Sequence, residues 1–291
     1  MGLDFVKMHG LGNDFILLDA TQSPLTDTAE LAIRMCDRHF GVGADGLLIA
    51  EPSQQADFRM RIVNSDGSEA RMCGNGIRCM AMWAWERGLV RATSFAIETL
   101  GGVMRPRLVM RDGELVAVEV NMGPPYLARQ EIPMTGDPAP RVVREKLTVG
   151  DRVYPVTAVS MGNPHCVIFL SDMPGAPPLD QVPLEAWGRP LEHHLAFPQR
   201  TNVEFVEVRG PGQLAMRVWE RGAGPTLACG TGACATLVAA NLCGLSGREA
   251  TVHLPGGPLS IAWREDGNVY MTGPAVKVFE GVYQPALQLA L

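Results

Sequence analysis

The chain lacks any Lys/Arg-rich run, and its 25 Lys and Arg are outnumbered by 31 Asp and Glu, for a formal net charge of −6. That balance argues against nucleic acid or an anionic membrane surface as partner. No apolar run approaches the roughly 18 residues that a membrane span needs. The opening "MGLDFVKMHG" lacks the basic start and long apolar stretch of a signal peptide, and Val6 breaks the myristoylation pattern. The expected location is the cytoplasm. Lysine is scarce: Lys7, Lys146 and Lys277 stand outside any Gly-rich phosphate cradle, so a PLP Schiff base is not expected. The seven cysteines (Cys36, Cys73, Cys79, Cys166, Cys229, Cys234 and Cys243) are odd in number, which argues for free thiols and against a disulfide framework. Cys73 with Cys79, and Cys229 with Cys234, miss the tight spacing of structural zinc sites. No metal and no organic cofactor is expected.

What is present is a repeat. The 291 residues, 46% of them hydrophobic, suffice for two domains. Asn13 in "GLGNDFILLD" matches Asn163 in "MGNPHCVIFL", and Cys73-Gly74 matches Cys229-Gly230. Gly88 and Gly244 end the helices that follow. Gly101-Gly102, Asp112-Gly113 and Gly123-Pro124 match Gly256-Gly257, Asp266-Gly267 and Gly273-Pro274. The six pairs keep one order and a nearly constant offset of about 150 residues, the signature of an internal duplication. Short β-rich runs ("FRMRIVN", "RPRLVMR", "LVAVEV", "VEFVEV", "AMRVW", "NVYMT") surround a helix at Thr28–His39 and one helix after each Cys-Gly. The expected class is α/β (α+β), with two pseudo-symmetric domains, each a curved mixed β-sheet wrapped around a central helix, facing each other across a cleft. The Gly-Pro markers place one lobe at residues 1–122 plus 274–291 and the other at 123–273, with the Pro/Gly-rich stretch 123–149 as the crossover and the C-terminal run returning to the first lobe.

The two cysteine segments, "RMCGNGIRC" and "ACGTGACA", carry the chemistry. Each puts a thiol at a Gly-rich helix entrance. In the first helix, Ile77, Met80, Ala81, Ala84 and Trp85 follow the helical period; the second is apolar nearly all round and is expected to be buried. A helix start has N–H groups without intrahelical partners and partial positive charge, so it favours an anion. A cysteine there is expected to have a lowered pKa. If both entrances serve one substrate, one thiolate removes a proton from a stereocentre and the other thiol returns one to the opposite face. Without PLP, N–H donors on the substrate carboxylate must stabilise the carbanion. The remaining cysteines read as core or near-core residues, and His193-His194 as solvated.

In order, spacing and sequence, "GLGNDF", "NSDGSEARMCGNGIRC", "GNPHCV", "TNVEFVEV" and "WERGAGPTLACGTGACA" resemble diaminopimelate epimerase over nearly the whole chain. The resemblance implies that family's duplicated fold and PLP-independent epimerisation of LL- to meso-diaminopimelate, a step supplying lysine and peptidoglycan precursors, often by a homodimer. It implies Cys73 and Cys229 as the acid/base pair. It also implies that N–H groups of Gly74, Asn75, Gly230 and Thr231 hold the reacting carboxylate. Asn13, Asn64, Asn163, Asn202 and Arg221 would bind the distal end, and Glu220 and His165 would lie beside the reacting amine and the thiols. Asn64 stands nine residues before Cys73, as Glu220 does before Cys229. Pro225 in "GAGPT", where the family often has Glu, and Gly46, where some members have Gln, depart from the pattern. Two other functions compete: a proline or hydroxyproline racemase with the same two-thiol plan, whose substrate leaves the Asn set and Arg221 little to bind, and a dithiol redox protein. A non-catalytic binding module would leave both thiols without a purpose.

Overall fold

A computed structural model describes residues 2–284. By internal contacts the chain forms two compact units, one running to Val120 and resuming at Gly273, the other spanning Asn121–Thr272. The sequence markers put these breaks at 122/123 and 273/274; the portion of that assignment at 285–291 lies outside the described residues.

Unit 1 contains β1 (Leu3–Gly10), β2 (Asn13–Asp19), α1 (Thr28–Cys36), β3 (Gly46–Glu51), β4 (Phe58–Asn64), β5 (Glu69–Ala70), α2 (Gly74–Glu86), β6 (Ile97–Thr99), β7 (Gly102–Met104), β8 (Arg107–Arg111) and β9 (Glu114–Asn121), the last two forming an antiparallel hairpin. Its final strand, β19 (Val276–Tyr283), pairs antiparallel with β1. The sheet runs β19–β1–β2–β3–β4–β6–β7, with β5 beside β4. Two pairings are parallel, β2–β3 and β4–β6. Strand alternation sorts the side chains. Ile16, Leu18, Leu47 and Ile49 join Ala32 and Met35 of α1 in one core, while Leu48 points the other way, to α2.

The first helix is shorter than the expected Thr28–His39. It stops at Cys36 because the Asp37 carboxylate accepts the N–H groups of His39 and Phe40, each at 2.7 Å, and so draws the chain into a turn. In α2 the buried tryptophan is Trp83, 2% exposed, and not the expected Trp85, which is half-buried. The buried stripe runs through Ile77, Met80, Ala81, Trp83 and Ala84, and Trp83 lies one turn beyond Met80 on it.

Unit 2 contains β10 (Val142–Val149), β11 (Arg152–Ser160), β12 (Pro164–Phe169), α3 (Leu184–Glu192), β13 (Asn202–Gly210), β14 (Gln213–Glu220), β15 (Gly224–Thr226), α4 (Gly230–Leu242), β16 (Glu249–Leu254), β17 (Gly257–Trp263) and β18 (Val269–Gly273). The stretch expected as a mere crossover supplies β10, antiparallel to β11. The sheet runs β10–β11–β12–β13–β14–β16–β17–β18, with β12–β13 and β14–β16 parallel. The second helix of the repeat is buried without interruption from Gly232 to Ala240, packed against β11, β12, β13, β14, β16 and β17. Its small residues let the curved sheet close around it. Across the sheet, Leu184, Trp187 and Leu191 of α3 pack with Cys166, Ile168, Val203 and Phe205.

The two units repeat one mixed α+β plan: a parallel pair, a following antiparallel strand, then a central helix that ends on a left-handed glycine. Gly88 has φ +71° and Gly244 φ +72°. Each sits one residue past the helix cap, and the next N–H, of Leu89 or Leu245, bonds back to Ala84 or Ala240.

Candidate active site

Cys73 and Cys229 are the N-cap residues of α2 and α4, both 13-residue helices. Both have extended backbones, and both sulfurs accept an N–H from the third residue of the helix, Gly76 at 3.4 Å and Gly232 at 3.3 Å. The thiols thus take the place that Ser or Asp usually fills. The first intrahelical bonds run from Ile77 N to Cys73 O and from Ala233 N to Cys229 O. The N–H groups of Gly74 and Asn75, and of Gly230 and Thr231, precede those bonds at the positive ends of the helices.

In unit 1, Cys73 is half-buried, with Sγ 3.7 Å from Asn13 Oδ1. Asn75 Nδ2 donates to the same oxygen at 3.1 Å. The other end of the Asn13 amide donates to Asp45 Oδ2 at 2.6 Å, and Arg38 bridges Asp45 to Asp14. Asp14 also pairs with Lys7. The two cations hold the Asp14 carboxyl below its ordinary value against the opposing effect of burial. Asn64, at the end of β4, donates to Ser68 Oγ at 2.9 Å in the turn before the cysteine. Arg78, fully buried one turn into α2, donates to Gly74 O at 3.3 Å and Pro274 O at 3.2 Å.

In unit 2, Cys229 is only 6% exposed. A chain of polar contacts leads from it: Sγ to Thr231 Oγ1 at 3.6 Å, Asn163 Nδ2 to Thr231 Oγ1 at 3.3 Å, Asn163 Oδ1 to His165 Nε2 at 3.1 Å, and His165 Nδ1 to Glu204 Oε1 at 2.7 Å. Asn202 uses both ends of its amide within the unit, donating to Pro164 O at 2.9 Å and accepting from Arg221 N at 2.9 Å. Arg221 is exposed, and its guanidinium donates to Gln199 O at 3.0 Å. Glu220 accepts from Thr226, and burial pushes its carboxyl above the ordinary value.

The structure therefore gathers Asn13, Asn75 and Cys73 at one helix entrance, with Gly74 beside them. It gathers Asn163, His165, Thr231 and Cys229 at the other, with Glu220 facing that thiol. The expectation of a lowered thiol pKa fails at Cys229, which is raised well above the ordinary value. Burial is the main cause, and the Glu220 and Glu204 carboxylates add to it, outweighing the Thr231 hydroxyl and the Gly232 N–H. Cys36, Cys79, Cys166 and Cys234 are buried as expected, with burial pushing Cys36 and Cys79 up to about 12. Cys243 is half-buried at the edge of the core, 3.2 Å from Thr157 Oγ1. His193 is exposed as expected, while His194 is half-buried, its ring facing Thr148 O at 3.3 Å and accepting Ala196 N–H at 3.1 Å.

Three supporting residues escaped the sequence reading. Asp45 orients the Asn13 amide. Glu192 accepts Trp219 Nε1 at 2.7 Å and Gly222 N at 2.9 Å, bracketing Glu220-Arg221. Glu204 holds His165. Only Glu204 left a trace in the sequence, as an acid among alternating apolar residues in "NVEFVEV". Among the described residues no group of three or more His, Cys, Asp or Glu could hold a metal ion, and no helix is long and apolar enough to cross a membrane.

Relatives with this architecture are recognisable. The Bacillus anthracis PhzF-family phenazine biosynthesis protein matches with a TM-score of 0.69 at 16% identity, covering 98% of this chain and 100% of that one. A hydroxyproline epimerase from Agrobacterium vitis matches with a TM-score of 0.66 at 15% identity, covering 97% and 90%. At such identities the likeness is one of fold. Sequence similarity goes further. A diaminopimelate epimerase of Heliobacterium modesticaldum is 55% identical over 284 residues, 96% of this chain and 99% of that protein. Another, of Synechococcus elongatus, is 57% identical over 287 residues, 97% and 98%. The family model described as diaminopimelate epimerase matches residues 5–128 and 157–278, one stretch in each half of the sequence. With cysteine-capped helices in both stretches and such close relatives, the chain belongs to the diaminopimelate epimerase family.

Proposed function

We propose that this protein interconverts LL- and meso-2,6-diaminopimelate in lysine and peptidoglycan precursor biosynthesis, with Cys73 and Cys229 as the two acid/base groups. The observation that carries the reading is the recurrence of one device: a cysteine N-cap on a 13-residue central helix, once in each unit. Inversion of a stereocentre needs a proton taken from one face and another delivered to the opposite face, which is work for two such groups. In this scheme the two thiols act on opposite faces of the same α-carbon.

The substrate carboxylate lies against the N–H groups of Gly74, Asn75, Gly230 and Thr231, whose dipoles favour the charge that develops on proton removal. Asn13, Asn64, Asn163 and Asn202 supply amide groups toward the distal amino-acid end, and Arg221 binds its carboxylate. Asn202 also orients Arg221 through the backbone. Glu220 and His165 adjoin the reacting amine and the Cys229 thiol. PLP is not required: Lys7 is engaged with Asp14, and the other lysines lie on β10 and β19. The working enzyme is a cytoplasmic homodimer, which sedimentation would test, and each lobe (1–122 plus 274–291, and 123–273) brings one cysteine.

Incubation with LL-diaminopimelate in heavy water tests the reaction. We expect meso product with deuterium at the inverted carbon. Turnover of L-proline alone would favour the racemase alternative, and substrate binding without exchange would favour a binding module. Activity in a variant with Ser at both positions 73 and 229 would overturn the mechanism.

A further inference from the structure

Glu204 is fully buried on β13, where alternation turns it away from the Val203–Phe205 core and toward α4. The parallel pairs set up an internal comparison. Phe15 lies opposite Gly46 in β2–β3, and His165 lies opposite Asn202 in β12–β13. Two residues along, Leu48 therefore occupies in unit 1 the position of Glu204 in unit 2, and Phe15 that of His165. Contacts with the helices agree. A Cβ added to Gly76 would stand 3.2 Å from Leu48 Cδ2, and one added to Gly232 would stand 2.8 Å from Glu204 Oε1 and 3.1 Å from Cys229 Sγ.

An apolar pair in one unit is thus an acid and a histidine in the other, at the same layer beneath the thiol-bearing helix. A carboxylate in such a place is costly to bury. Its Oε1 faces His165 Nδ1 at 2.7 Å, but its Oε2, also buried, meets no hydrogen-bond partner among the described residues. Packing alone would be served by leucine, as in unit 1. The groups facing Cys229 are Glu204 from β13 and Glu220 from β14, with the Thr231 hydroxyl of α4, while His165 of β12 faces Glu204.

We infer that Glu204 is a positioning residue for the Cys229 thiol: it fixes the His165 ring, whose Nε2 meets Asn163, and holds an acidic group in the layer beneath that sulfur. The two thiols of the proposed reaction then have unequal surroundings by construction, through the exchange of leucine and phenylalanine for glutamate and histidine between duplicated strands. The inference rests on reading Cys229 as an acid/base thiol, but its test does not require turnover.

In a Cys73→Ser background, alkylation of Cys229 by iodoacetamide is followed across pH by mass spectrometry of its peptide. Glu204→Gln lowers the pH of half-maximal reaction by about one unit, the low end for relieving a nearby like charge. Glu204→Asp retains the charge and stays near the parent value. An unmoved midpoint in Glu204→Gln, or an equal fall in Glu204→Asp, overturns the inference. In the unaltered protein, 15N-labelled histidine is expected to show a proton on His165 Nδ1, and a bare Nδ1 overturns it even if no variant folds. A labelling shift without diaminopimelate turnover would sink the proposed function and leave this inference standing.

Discussion

The two cysteine-capped helices have the same length, the same N-cap geometry and the same glycine stop, yet their surroundings differ in kind. Around α2, the half-buried Cys73 stands by an amide cluster oriented from outside by Asp45 and Arg38, with a buried arginine one turn along and Leu48 below. Around α4, Cys229 is enclosed, and the residues in the corresponding layer are His165 and Glu204, with Glu220 where the first unit has Asn64. Duplication kept the backbone device that sets a thiol at a helix entrance. The side chains beneath it diverged in charge, and charge is what sets the proton affinity of a buried sulfur. A rule read from the helix start alone therefore gives the wrong sign for Cys229.

The harshest test of the comparison removes each sulfur. Cys73→Ala and Cys229→Ala are both expected to lower epimerisation at least about 10³-fold, within the span of general acid–base contributions, measured by chromatographic separation of the isomers. A variant of either kind retaining substantial activity would break the two-thiol symmetry. Arg221→Ala should raise KM for diaminopimelate on the order of tenfold or more, since a hydrogen bond to a charged group contributes roughly 1.5–3 kcal/mol. The rate of thiol alkylation should barely change; equal loss of both would count against a role in binding.

The glycines of the two helix starts sharpen the contrast through stability. Gly232→Ala drives a Cβ onto the buried Glu204 carboxylate at 2.8 Å and should cost about 1–3 kcal/mol, the usual range for overpacking. Gly76→Ala meets Leu48 at 3.2 Å and Cys73 Cβ at 3.5 Å, and the gain in helix propensity of roughly 1 kcal/mol offsets much of the crowding. Denaturant melts that rank the two variants the other way would undo the register equivalence.

A further effect concerns pH and is common to both units. Burial raises Cys36 and Cys79 of unit 1 from the ordinary 9.0 to about 12, and Cys166 of unit 2 is raised well above it. Because these folded values exceed the unfolded one, their stabilisation is full below about pH 9 and is lost as pH climbs through the folded values. Melting temperature should fall across that alkaline window, and replacing Cys79 by Ala should flatten its share of the slope.

Much of this was legible beforehand because it follows from short-range rules. A thiol followed by Gly-x-Gly and an apolar period predicts a capped helix, and Gly88 and Gly244 predict its end. The duplicated order of turn glycines predicts two copies of one α+β plan. Where the reading missed, distant or tertiary partners decided. Asp37 shortened α1 by capturing two N–H groups. Trp83 took the buried stripe from Trp85. Asp45 and Glu192 act through residues to which no sequence spacing ties them.

Helix entrances, the turn glycines between strands and the family itself were determined by the sequence alone, because backbone N–H groups, positive φ angles and 3.6- or 2-residue periods act within a few residues of one another. Which side of a strand meets which helix, how deeply Cys229 is enclosed, and whether leucine or a paired glutamate lies beneath a sulfur were decided only in three dimensions. Desolvation and Coulomb interaction depend on distances through space, and those distances exist only once strands β12, β13 and β14 lie side by side under α4.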